Sequence, residues 1–111
     1  MIENRQHNRI IMNLPITECS DLGAAEGLIT NMSKTGLCYY RFPSSTPNTC
    51  KIINLSFCPY CCERQITVTS SVVHRQIIGK YSLIGVQFLQ PNEETQELID
   101  KQISRFPVST L

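Results

Sequence analysis

Short β-prone segments recurring about every ten residues, each cut off by a turn signal, constrain this chain more than any other feature of its sequence. Residues 9–17 carry Ile10, Ile11, Met12, Leu14 and Ile16, and Pro15 within them demands an edge position or a bend. A turn at 20–23 precedes a second segment at 25–30, which holds Leu28 and Ile29. Residues 31–36 form a polar turn of types that bond their own backbone, and 37–42 resume strand character. The stretch 43–49 is loop by composition, and 50–57 is apolar until Cys58-Pro59 breaks it. Residues 65–78 alternate at Ile66, Val68, Ser70 and Val72, with a bulge expected before His74. Gly79-Lys80 turns the chain into 81–89, where Ile84, Val86 and Phe88 share a face.

Only the end reads as helix. Asn92 suits the N-cap, Glu93 and Glu94 the first turn, and Lys101 and Arg105 the last. Thr95, Ile99, Ile103 and Phe106 make one apolar stripe, and Pro107 stops it. The predicted fold is therefore all-β: a small six-stranded antiparallel barrel with one C-terminal α-helix packed on it. A length of 111 residues fits a single domain over 9–111, preceded by a polar arm at 1–8.

Composition narrows the function. Ten Lys and Arg against nine Asp and Glu leave a formal charge of +1, too little for an extended nucleic-acid surface. A small anion needing two or three placed cations stays open. No apolar run approaches the ~20 residues of a membrane span, and the first residues lack a secretory h-region. A cytoplasmic location follows as the expectation, with the six cysteines as reduced thiols. On the same reasoning the Asn31-Met-Ser33 and Asn54-Leu-Ser56 sequons are not glycosylation sites.

Two clusters carry candidate chemistry. Arg5-Gln6-His7-Asn8-Arg9 places two guanidiniums four residues apart, able to grip a phosphate with one fork and a purine edge or face with the other. Alone, the pair reads first as two solubilising arginines on an N-terminal arm. Asn31-x-Ser33-x-x-Gly36 offers compact donors and acceptors, with a glycine that permits close backbone approach or positive φ. Alone, it reads as an ordinary turn.

Together they resemble the signature pair of the PilZ domain, an Arg-x-x-x-Arg before the first strand and an Asn-x-Ser-x-x-Gly after the second. Ile84-Gly85-Val86-Gln87-Phe88 is similar to that family's late-strand Gly-x-x-Phe, and the Glu-rich closing helix follows in order. The resemblance runs from Arg5 to Phe106. It implies a non-enzymatic receptor for the second messenger cyclic di-GMP. Arg5 and Arg9 would contact guanine and phosphate, and Asn31, Ser33 and Gly36 would line the same ligand. It also implies an arm that folds over the ligand and a surface read by an effector protein, in motility, exopolysaccharide, pilus or virulence control. Secondary contacts are open to Asn4, Gln6, His7, Asn8, His74 and Arg75, and Asn4 precedes the first arginine, where ligand stoichiometry is influenced. No metal is expected, and the chain is expected as a monomer or homodimer.

A rival reading centres on Cys58-Pro-Tyr-Cys61-Cys62. The spelling is glutaredoxin-like, but Glu63 onward is β-patterned, so the helix that activates such a thiol is not expected. Zinc would need two further ligands from Cys19, Cys38, Cys50 or His74, and a plain hairpin turn is the simplest account. A thiol- or zinc-dependent regulatory module on the same barrel is thus the alternative. Two histidines and no paired carboxylates supply no acid–base set for ordinary catalysis.

Overall fold

Strands that alternate apolar and polar residues have one face to bury, and a sheet closed on itself buries those faces together. A computed structural model describes residues 10–59 and 64–104. Its strands are β1 (Ile10–Ser20), β2 (Gly23–Met32), β3 (Gly36–Arg41), β4 (Ile52–Phe57), β5 (Ile66–Ile78) and β6 (Tyr81–Phe88), followed by helix α1 (Glu93–Ser104). They close in the order β1-β2-β3-β6-β5-β4, with every neighbouring pair antiparallel. The six-stranded barrel with one terminal helix is the architecture the sequence predicts.

Closure leaves one interior to fill. Ile10, Ile16, Ile29, Met32, Leu37, Leu55 and Ile84 are fully or almost fully buried there, each contributing about 1.5–3 kcal/mol of apolar transfer. Pro15 sits within β1, facing outward opposite Leu28. Among the described residues β1 pairs with β4 over Thr17, Glu18 and Cys19 and with β2 alone at Pro15, which meets the edge condition on proline. The register slips between Val72 and His74, the bulge expected before His74.

Several boundaries differ from the sequence reading. Asn31 belongs to β2 rather than to the turn, because it pairs with Cys38 and Ile11. The first turn shrinks to Asp21 and Leu22, since ladder pairing continues to Ser20 opposite Gly23. The helix stripe also differs. Asn92 caps α1 as expected, its Oδ1 accepting from the Thr95 N–H at 2.8 Å. Yet Ile99 and Gln102 are the residues fully buried, while Thr95 and Ile103 are half-buried and Leu98 packs against the core too. The buried face is therefore centred on Leu98, Ile99 and Gln102, one residue before the predicted line. Phe106 and Pro107 lie outside the described residues.

Candidate ligand-binding site

Ladder pairing assembles a surface that no single segment encodes. Asn31 of β2 lies opposite Cys38 of β3, Cys38 opposite Gly85 of β6, and Gly85 opposite His74 of β5. Three strand spacings make this row about 14 Å across. The adjacent row, Met32, Leu37 and Val86, is buried in the core, so the Asn31–His74 row faces outward by alternation. Asn31 and Cys38 are half-buried and His74 is exposed. A further outward row follows, Gly36 opposite Gln87 opposite Ser71.

The 33–35 turn at the end of these rows is held from three directions. Ser33 N–H donates to the Gly36 carbonyl at 2.8 Å, and Phe88 N–H donates to the Thr35 carbonyl at 2.8 Å. Gln96 of α1 donates from Nε2 to the Lys34 carbonyl at 3.2 Å. The Ser33 hydroxyl is buried and bonded within its own turn, accepting from Thr35 N–H at 3.3 Å and reaching the Gly36 carbonyl at 3.4 Å. Its first role is to shape the turn. Gly36 resolves in favour of close approach: a Cβ there would stand 2.2 Å from the Val86 carbonyl oxygen, so any side chain would push β3 from β6.

Arg5 and Arg9, with Asn4, Gln6, His7 and Asn8, lie outside the described residues. Their point of attachment is fixed, because Ile10 pairs with Met32 and Ile11 with Asn31. The arm thus joins the barrel beside the Asn31–Gly36 motif. His74 stands on the same outward row, but Arg75 does not. Its side chain reaches the 43–51 loop, with Nε donating to Asn48 Oδ1 at 3.2 Å and Nη2 donating to the Cys50 carbonyl. Cys38, Gln87 and Gln96 are residues of this region that the sequence reading missed. Only the strand register, for Cys38 and Gln87, and the docking of α1 on the turn, for Gln96, could have pointed to them.

Cys19, Cys38 and Cys50 are free thiols, and Cys61 and Cys62 lie outside the described residues. Among the described residues no group of three His, Cys, Asp or Glu side chains converges on a metal-sized point. No helix among them is long and apolar enough to cross a membrane.

Comparison with protein families matches the PilZ domain over residues 3–105. The chain belongs to the PilZ domain family. Solved PilZ-type structures superpose well. The PilZ domain of YcgR from Escherichia coli, solved with c-di-GMP, gives a TM-score of 0.71 at 10% identity, covering 94% of this chain and 92% of that one. The Bacillus subtilis inhibitor of motility MotI/DgrA gives 0.75 at 15% identity, covering 94% of this chain and 51% of the other. The MrkH–c-di-GMP complex of K. pneumonia gives 0.75 at 16% identity, covering 95% and 52%. The chain therefore spans about half the length of the MotI and MrkH chains. A search of curated proteins by sequence gave no match.

Proposed function

We propose that this PilZ domain is a receptor for cyclic di-GMP that binds the messenger with Arg5, Arg9, Asn31, Ser33 and Gly36 and passes the bound state to an effector protein. One observation carries the reading: the segment 5–9, which bears both arginines, joins the barrel where Ile10 pairs with Met32, one residue from Ser33. The ligand is a dianion with two purines. Two guanidinium forks answer its phosphates and Hoogsteen edges, and the braced turn offers short polar groups without a net-basic protein. On the outward row, His74 is exposed beside Gly85 and offers an imidazole for a purine ring to stack on. The structures of YcgR and MrkH with c-di-GMP support the same ligand class.

The transduction step follows from composition. The arm is polar, with few apolar anchors, so ligand contacts to Arg5 and Arg9 supply what orders it over the barrel. The effector then reads the covered face. Calorimetric titration with cyclic di-GMP tests the reading, with GTP and cyclic di-AMP as comparators. Saturable binding that the comparators fail to match is expected. Equal binding of cyclic di-AMP would remove the guanine contacts from the account.

A further inference from the structure

β5 outruns its neighbour. β4 pairs with β5 from Phe57–Ile66 to Ile52–Ser71, and the Val72 N–H then donates to the Lys51 carbonyl. Beyond that point, among the described residues, the register assigns β5 a partner on the β6 side alone, as far as Ile78 opposite Tyr81. The closing turn has Gly79 at a φ of +62°, a two-residue hairpin connection. In such a hairpin the residues flanking the turn bond to each other, so Ile78 and Gln76 point their backbone groups at β6. Arg75 and Ile77 then point theirs outward. An edge strand without a second partner is a template for another strand, and on this one the Ile77 side chain is 82% exposed.

The surroundings specify a charge. β4, β5 and β6 contain no Asp or Glu, while Lys51, Arg75 and Lys80 lie in or beside them. Arg75 has no carboxylate within ion-pair distance among the described residues, and its guanidinium is held in one orientation by Asn48 and the Cys50 carbonyl. Beside it is a cleft of about 450 Å³ lined by Asn48, Arg75, Gln76, Ile77 and Ser82. It lies at the barrel end away from the 33–35 turn, since Ser82 pairs with Arg41 and Gly36 with Gln87 at opposite ends of the β3–β6 ladder.

We infer that this edge takes an extended acidic segment of a partner protein, which adds as a strand along Arg75–Ile77 and sets a carboxylate against the Arg75 guanidinium. Main-chain bonds supply the pairing, and the cationic surroundings select the acidic sequence. The site is separate from the messenger site, so the inference stands whether or not cyclic di-GMP binds.

A fluorescent peptide of alternating glutamate and valine is the probe, with its lysine–valine counterpart and inorganic phosphate as controls. The acidic peptide should bind, weaken as salt rises, and shift the backbone amide signals of Arg75 and Ile77. Ile77→Glu, at an exposed side chain, should keep the parent's melting curve and weaken the peptide at least about tenfold by like-charge repulsion. Equal binding of the lysine peptide would overturn the proposal. So would phosphate alone reproducing the Ile77 shift, which would mark an anion site without strand addition. Self-association of the parent through this edge in sedimentation, abolished by Ile77→Glu, would assign the edge to a second copy instead.

Discussion

Glu18 of β1 and Arg41 of β3 meet inside the barrel although β2 separates their strands: Arg41 Nε lies 3.0 Å from Oε2 and 3.2 Å from Oε1, with both side chains almost fully buried. Tyr39 donates its hydroxyl to Glu18 Oε1 at 2.5 Å, and Arg41 Nη2 donates to the Thr46 carbonyl at 2.7 Å, so the cluster also anchors the 43–51 loop. Glu18→Gln leaves a buried guanidinium without its counter-charge and should cost about 3–5 kcal/mol. Replacing Glu18, Tyr39 and Arg41 together by Leu, Phe and Met should cost less, because no buried charge is then unpaired. Denaturant midpoints check the order, and a triple variant less stable than Glu18→Gln would reverse the explanation.

Tyr39 gives the same cluster a pH signature. Burial, then the hydrogen bond and charge of Glu18, push its phenol far above the usual tyrosine range. The folded state therefore keeps this proton where the unfolded chain loses it. Stability from this group is complete below about pH 10 and falls above it, by up to about 1.4 kcal/mol per pH unit. Tyr39→Phe should flatten that alkaline decline relative to the parent. Parallel declines above pH 10 would mean that Tyr39 is not the group responsible.

Gly36 is required by packing. A methyl group at this position meets the Val86 carbonyl oxygen, so Gly36→Ala must part β3 from β6 or distort the turn. The expected loss is about 1–3 kcal/mol, the usual range for overpacking. Thermal melts of Gly36→Ala beside Ser33→Ala separate the two residues of the motif. The serine variant loses a turn-forming hydroxyl, a cap-like loss of about 0.5–2 kcal/mol. Equal melting of Gly36→Ala and parent would show that the strands yield freely there.

The helix gives a comparison between two isoleucines of the predicted stripe. Ile99 is completely buried and Ile103 only partly. Ile99→Ala should cost about 2–5 kcal/mol and Ile103→Ala distinctly less. Equal losses would mean that α1 sits rotated from the orientation described.

What the sequence disclosed and what it hid divide along a physical line. Pro15, the Asn92 cap, the bulge before His74 and the Gly79 turn are local, and each follows from φ/ψ limits or a bond within a few residues. The Glu18–Tyr39–Arg41 cluster joins positions 21 and 23 residues apart, and only barrel closure brings them together. The outward row from Asn31 to His74 is of the same kind. Asn31, Gly85 and His74 were legible as parts of separate motifs, but Cys38 between them and the face they share depend on the register of four strands. Arg75 shows the limit most plainly. It is next to His74 in sequence, and its side chain reaches the 43–51 loop because successive strand residues point to opposite faces.

The central claim is that Arg5 and Arg9 hold cyclic di-GMP against the Asn31–Gly36 motif. Calorimetric titration of the parent beside Arg5→Ala, Arg9→Ala and Arg9→Lys, with melting curves for each, tests it most directly. Each truncation should weaken binding roughly ten- to a hundred-fold, about 1.5–3 kcal/mol, and leave the melting temperature unchanged. Lysine should restore only part of the loss, since an ammonium lacks the planar fork. A parent that does not bind cyclic di-GMP, or an Arg9→Ala protein that binds it as tightly as the parent, would contradict the account.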